Sequence, residues 1–501
     1  MSQNISNTSK VLKGISSQTI VTVVLGIVEI VSFSIMSRLL TQEDFGYYAA
    51  ITAITTIFST FSETGIGSAI IQQKELTKRY INNAFTISLF FGGFISLLLF
   101  VLADPLSRYV ADVSMRTPLM IMSVTLLLNC LTSVNTSLMH RKLQFLRVGS
   151  INLVSLVITT IVAIWLAYSG YGYYAIITKA VLGSIITWLL SLILCKTQFG
   201  FALDRQTFVS IFSFSGWLMA STLFRNLAHQ VDRILMPRLL SVASLGAYNR
   251  PKDFVEQISG KINGIFDTAL FPVLSGIQDD KQSLQSAFRR SMFIMNIFAL
   301  LLTLAFIFNS ELLIRIFFGE QWLYLKTVMI VISASLLFNI DGRLADCYLR
   351  SLALTKQQFY FRIFEAALKI GGILIGYKWD ILGVATSVVI TNFIAKIVKI
   401  IYVGGKINIE PHSVIGIIIK SWRFSLLIIP ILIVAYAFLP NSWAGNIAMA
   451  IIFVLLLVVV FLLLPGLVGE IYKKEVYSKI LIAFKKFGRK KRTCNYSKNN
   501  G

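Results

Sequence analysis

Charge is scarce in this chain. Asp, Glu, Lys and Arg make up 14% of its 501 residues, where soluble domains carry about 25%, which argues against a soluble multi-domain enzyme. Cysteine is scarcer still. Cys130, Cys195, Cys347 and Cys494 form no Cys-x-x-Cys pair, and His140, His229 and His412 are scattered. Spacing therefore supports neither a disulfide framework nor a metal site, and no metal or other cofactor is expected. There is no Gly-x-x-x-x-Gly-Lys-Ser/Thr phosphate loop, so nothing in the sequence calls for ATP.

Apolar residues are what the chain has in excess, at 56% of the total. Runs long enough to cross a bilayer fall at about 15–38, 45–62, 81–103, 117–138, 149–168, 172–195, 209–233, 250–274, 291–310, 323–343, 358–377, 381–403, 422–439 and 446–464. Only helices and closed barrels satisfy every backbone group in lipid. Continuous runs without strict alternation favour helices. The expected fold class is thus an all-α polytopic membrane protein of about 14 transmembrane helices. The first run, after Lys13, is long enough to span and reads as a retained helix rather than a short cleaved signal.

The chain is basic, with 46 Lys and Arg against 23 Asp and Glu. With the N-terminus placed inside, Lys and Arg in the inner segments outnumber those outside about three to one. Arg238, Arg250 and Lys252 are counted outside, Arg350 and Arg362 inside. Both termini are therefore expected in the cytoplasm. The basic tail (Lys485-Lys486, Arg489 to Arg492) suits anionic lipid head groups better than nucleic acid, which is not expected as a partner.

An internal repeat organises the runs. Ile35-Met36-Ser37-Arg38-Leu39-Leu40, followed by Phe45-Gly46-Tyr47-Tyr48, is matched two hundred residues later. There Leu235-Met236-Pro237-Arg238-Leu239-Leu240 precedes Leu245-Gly246-Ala247-Tyr248. Weaker echoes pair Gln144-Phe145 with Gln358-Phe359 and Gly172 with Gly383. Both copies start at odd-numbered helices, so they enter from the same side and are related by a pseudo-twofold axis along the membrane normal. The expected organisation is an N-terminal six-helix lobe (1–200), a C-terminal six-helix lobe (201–405), two additional helices (406–468) and a basic cytoplasmic tail (469–501). The two pseudo-symmetric lobes are expected to surround a central cavity.

The chain resembles the polysaccharide-transporter branch of the multidrug/oligosaccharidyl-lipid/polysaccharide exporter superfamily, the O-antigen and exopolysaccharide flippases. The resemblance runs over nearly the whole chain. It rests on Ser37-Arg38-Leu39-Leu40 with Phe45-Gly46-Tyr47-Tyr48, Gly65-Ile66-Gly67-Ser68-Ala69-Ile70-Ile71-Gln72, Arg141-Lys142-Leu143-Gln144-Phe145 and Gly170-Tyr171-Gly172. It continues with Asp232-Arg233 leading to Leu245-Gly246-Ala247-Tyr248-Asn249, then Phe271-Pro272-Val273-Leu274-Ser275 and Phe318-Gly319-Glu320-Gln321-Trp322. It implies alternating-access export of undecaprenyl-pyrophosphate-linked oligosaccharide repeat units across a bacterial cytoplasmic membrane, for lipopolysaccharide O-antigen, capsule or exopolysaccharide. A polysaccharide polymerase and glycosyltransferases would be its neighbours in such a pathway. The family motifs are mostly structural and carry over no defined binding residues.

Ionisable residues inside the bilayer usually face a cavity or a partner. The richest run holds Arg225, His229, Asp232 and Arg233, spaced to lie near one helix face. A pyrophosphate needs cations, and the Arg fork meets its oxygens in pairs. Arg225 and Arg233 are the leading candidates, with Lys179, Lys261 and Lys396 behind them. The plainer alternatives are that Asp232 pairs with a basic neighbour to fix helix ends and that Lys396 and Lys399 snorkel towards head groups. His229 is a candidate proton carrier or a helix-contact residue. Glu29 and Glu256 are candidates for coupling or for lobe contact.

Two rivals stand against this reading. A drug or cation exporter of the same superfamily should lean on cavity carboxylates rather than Arg. A membrane polymerase or glycosyltransferase should carry catalytic residues in a long outer loop. The one Asp-Asp pair, Asp279-Asp280, lies on the inner side and reads as a helix start. The expected protein is thus a transporter and not an enzyme.

Overall fold

The computed structural model describes residues 2–467 apart from 64–65, 74–75, 111–112, 197–199, 424 and 440–442. Gly65, Lys74, Pro440-Asn441 and the basic tail lie outside the described residues. So do the side chains of Asp267 and Asp341.

The described chain is helical, with no strand among the described residues. In order the helices are α1 (Ser2–Leu39), α2 (Gln42–Glu63), α3 (Ile66–Gln72), α4 (Lys78–Val110), α5 (Arg116–Arg141) and α6 (Phe145–Tyr168). Then come α7 (Tyr174–Cys195), α8 (Arg205–Leu239), α9 (Val242–Gly276), α10 (Lys281–Phe308), α11 (Ser310–Phe317) and α12 (Lys326–Ala334). The series ends with α13 (Leu336–Ser351), α14 (Thr355–Gly376), α15 (Asp380–Lys406), α16 (Pro411–Trp422), α17 (Ser425–Phe438) and α18 (Trp443–Leu467).

Each of the fourteen apolar runs falls on helix. Eight stretches among the described residues are long and apolar enough to cross a membrane by length and composition, the last of them covering both α14 and α15. Side chains such as Phe90, Phe94, Val101 and Ile161, each at least 60% exposed, are where lipid would replace water. The protein is a multi-pass membrane protein. Four elements were not expected, the short helix α3 among them. α11 is a short helix packed on the end of α1, α16 packs on α10 and α15, and the tenth run is broken at Ser335 into α12 and α13. The expected helix start at Asp279-Asp280 is present. The Asp280 carboxylate accepts from the Gln282 and Ser283 amides at 3.0 and 3.2 Å.

The contact pattern divides the chain into residues up to Trp422 and the segment from Arg423 onward, in which α17 packs on α18. Within the larger unit, α4 lies along α5 and α6 along α7, while α14 lies along α15 and α13 packs on α10 and α15. The first and second halves meet where α2 crosses α8 and α9.

The repeat has two geometrical signatures. At the α2–α9 crossing, a Cβ on Gly46 would lie 1.9 Å from the Val242 carbonyl oxygen, and one on Gly246 would lie 1.7 Å from that of Gln42. The two contacts are reciprocal, as a twofold relation requires. The second signature corrects the sequence alignment. α5 ends in a turn with Leu143 left-handed at φ +55°, and α13 ends in the same turn with Ala353 at φ +55°. The counterpart of Gln144 is therefore Leu354, and the Gln358-Phe359 echo sits four residues further on, inside α14. The other echo has no shared geometry. Gly172 sits in the α6–α7 turn at φ +53°, whereas Gly383 lies inside α15 against the Gly376 carbonyl.

Candidate functional site

A cavity of about 480 Å³ opens among α8, α9, α12, α13, α14 and α15. Its lining follows from helical periodicity. Charged residues recur at three- and four-residue steps along single faces: Arg225 and His229 on α8, Lys252 and Glu256 on α9, Arg343 and Asp346 on α13, Arg362, Glu365 and Lys369 on α14, with Lys396 on α15. The break at Ser335 faces the same space, with Ile332 and Asn339 on either side. Among the described residues, six basic and three acidic side chains line the cavity, and Asp232 behind them pairs with two of the six cations.

Two ion-pair clusters build its walls. In one, Asp232 is fully buried and receives the Lys252 ammonium, the Lys369 ammonium at 3.1 Å and the Tyr248 hydroxyl at 3.0 Å. Lys369 also donates to the Ala228 and His229 carbonyls. In the other, Arg362 lies 2.7 Å from Asp346 and 2.8 Å from Glu365. The buried Lys399 meets both carboxylates, and Lys396 stands 3.6 Å from Glu365. A buried charge held this way is neutralised but rigid.

Arg225 differs from these. It is exposed in the cavity, and among the described residues no carboxylate lies within salt-bridge distance of it. Arg343, Asp346 and Arg362 share the cavity lining with it. A guanidinium that faces the cavity with no carboxylate among the described residues at salt-bridge distance can receive an anion through its bidentate fork.

The sequence candidates divide as follows. Arg225, Lys396, His229 and Glu256 line the cavity, and His229 Nε2 lies 3.7 Å from Glu256. Asp232 stands behind the wall in the pairing role named as its plainer alternative. Arg233 is turned away. Its guanidinium is held by Asp253 at 2.5 Å, Asn249 at 2.8 Å and Gln230 at 3.0 Å. Lys396 and Lys399 point to Glu365, which supplants snorkelling. Lys179, Lys261 and Glu29 lie elsewhere. Lys261 pairs with Glu29 at 2.9 Å where α9 faces α1, and Lys179 donates to Ser32 at 2.5 Å. The chamber was expected between the halves, yet the lining of this charged cavity comes wholly from residues 225–396, in the second half.

The sequence reading missed Lys252, Arg343, Arg362 and Lys369 as site residues. Lys252 and Arg362 had been counted as loop charges. Both lie inside helices, as does Arg250, and Lys252 and Arg250 are buried. Removing Arg250 and Lys252 from the outer side and Arg362 from the inner side leaves the charge bias of the loops in the same direction. The signal that would have found Arg343, Arg362 and Lys369 is the i, i+3, i+7 charge spacing of Arg343, Asp346 and Arg350 and of Arg362, Glu365 and Lys369; for Lys252 it is the i, i+4 spacing to Glu256.

The architecture defines a polytopic helical membrane protein with a cationic cavity. The profile of the family described as "Polysaccharide biosynthesis protein" matches residues 35–327, more than half of the chain, and the chain belongs to that family. It is 22% identical over 439 residues to the lipopolysaccharide biosynthesis protein WzxC of Escherichia coli (strain K12), covering 85% of this chain and 87% of that protein. It is 22% identical over 353 residues to the succinoglycan biosynthesis transport protein ExoT of Rhizobium meliloti (strain 1021), covering 69% and 70%. The fold is similar to that of the lipid II flippase MurJ in an inward closed conformation, with TM-score 0.71 and 16% identity over 90% of this chain and 99% of that one.

Proposed function

We propose that this protein is a flippase that carries lipid-linked oligosaccharide repeat units across a bacterial cytoplasmic membrane by alternating access, for a surface polysaccharide. The observation that carries this is Arg225, exposed in a charged cavity within the helical bundle of a membrane protein and with no carboxylate among the described residues at salt-bridge distance. A pyrophosphate linkage supplies the missing anion, and Asn226, Asn339 and Asn392 in the same lining offer amides to sugar hydroxyls. Arg225 takes the first role at the diphosphate, with Lys396 beside it. Arg233, Lys179 and Lys261 lie outside the cavity and act at other stages, Lys261 through its contact with Glu29 of the other lobe.

The drug-exporter alternative gains nothing here, since the three cavity carboxylates are all committed to cations. Both termini lie in the cytoplasm by the Lys and Arg bias. The division into lobes at about residue 200 follows the repeat. A polymerase and glycosyltransferases supply and consume the substrate on either face. In a host lacking its own flippase, the wild-type gene is expected to restore surface polysaccharide. Arg225→Ala is expected to fail at unchanged protein level; restoration by Arg225→Ala would remove Arg225 from the account.

A further inference from the structure

Four Lys and Arg side chains are buried among the described residues: Arg250, Lys252, Lys369 and Lys399. Three of them meet a carboxylate, Lys252 and Lys369 at Asp232, Lys399 at Asp346 and Glu365. Arg250 meets none. It is 7% exposed, with its guanidinium 3.4 Å from the Phe33 ring centre and 3.9 Å from that of Phe45. It donates to the Phe33 carbonyl at 2.7 Å and to the Ser37 hydroxyl. All of these partners belong to the first half, and the carbonyl end of α1 supplies only the partial negative charge of a helix C-terminus.

Arg250 lies within a larger clasp between the halves. Trp322 and Gln321 donate to the Ser37 carbonyl at 2.9 and 2.8 Å, and Arg38 donates back to the Ile316 carbonyl at 2.9 Å. The family motifs around Ser37-Arg38 and Gln321-Trp322 thus meet one another. Eleven residues further along the same face of α9, close to three turns and about 16 Å by helical rise, Lys261 pairs with Glu29. There both side chains are more than 40% exposed. The seam between α1 and α9 is therefore open at Lys261 and shut at Arg250.

We propose that Arg250 is an anion-released latch at the diphosphate's exit, a role that rests on the flippase reading. In the closed state the guanidinium holds α1 through neutral acceptors. A diphosphate arriving along the seam offers charged oxygens in their place, which bind a guanidinium more strongly. Arg250 transfers to the anion, α1 loses its hold on α9, and the clasped end opens. The anion favours the open state because only there is Arg250 available, which is the differential affinity that any ligand-driven change requires.

The test uses the full chain in lipid nanodiscs with its four cysteines replaced and spin labels at exposed Glu43 and Ile316. The label separation is followed as inorganic pyrophosphate is added. Wild type is expected to shift towards longer separations. Arg250→Gln is expected to need about tenfold more pyrophosphate or worse, the scale of one lost charge-assisted contact, and Arg250→Lys to keep most of the response. Trp322→Phe, which loosens the clasp and leaves the charge, is expected to start more open and still respond. Equal responses in wild type and Arg250→Gln overturn the latch. So does a wild type indifferent to pyrophosphate, or a response lost equally in Trp322→Phe. Flipping of a lipid-linked saccharide by the wild type, assayed separately, decides the function itself, so a failed latch with intact flipping leaves that reading standing.

Discussion

Gly46 and Gly246, matched residues of the two halves, meet backbone to backbone. The Cβ that Gly246 lacks would lie 2.8 Å from the Gly46 amide nitrogen and nearer still to the Gln42 carbonyl. No side chain fits between α2 and α9 at this point, so the halves touch at a crossing that only glycine allows.

Gly246→Ala must therefore spread α2 from α9, and the cost of overpacking is about 1–3 kcal/mol or more. Thermal unfolding in detergent is expected to show a clear loss for Gly46→Ala and Gly246→Ala. Gly371→Ala, on α14 with nothing within 4 Å of its added Cβ, is expected to be neutral or mildly stabilising. Equal behaviour at the three sites would contradict the close crossing.

Asp232 is the acid on which Lys252 and Lys369 depend. Asp232→Ala leaves two buried ammonium groups facing each other, and breaking such a cluster costs about 3–5 kcal/mol. Folded yield by size-exclusion chromatography is expected to collapse. Adding Lys252→Met to Asp232→Ala removes one stranded charge and is expected to recover part of it. A loss in the double variant equal to the sum of the two single losses would show that Lys252 and Asp232 are not coupled.

Transport of a diphosphate outward moves negative charge down an inside-negative potential. At about 2.3 kcal/mol per charge per 100 mV, two charges release roughly 4–5 kcal/mol while the cavity cations stay fixed in the helices. Collapsing the potential in energised vesicles, with ion gradients kept, is expected to slow flipping. An unchanged rate would mean that the charge crosses with a compensating ion.

The fold was legible because a membrane span needs length and apolarity together, and both are written in the runs themselves. The Met36-Arg38 and Met236-Arg238 copies with their glycines marked the repeat, and Gly46 and Gly246 meet at the α2–α9 crossing. The site was only partly legible. Arg225 stood out as a charge deep in an apolar run. Arg250 and Lys252 did not, because α9 begins at Val242, eight residues before its apolar run, so charges that looked like loop became interior. A tally of Lys and Arg cannot separate an anchoring charge from a buried pair. That distinction depends on which helices face each other, as α8, α9 and α14 do around Asp232. The break at Ser335 and the helices α11 and α16 were hidden for a related reason: they interrupt or decorate apolar stretches without changing their hydropathy.

The most direct measurement is flipping of a fluorescent undecaprenyl-pyrophosphate-linked saccharide in proteoliposomes, followed by loss of accessibility to an external quencher or lectin. Wild type is expected to move the lipid, and Arg225→Ala to move it about 30- to 160-fold more slowly, the scale of one charge-assisted contact of about 2–3 kcal/mol, with Arg225→Lys in between. A wild type that leaves the lipid in its original leaflet, or an Arg225→Ala protein that flips it at the wild-type rate, would contradict transport through this cationic cavity.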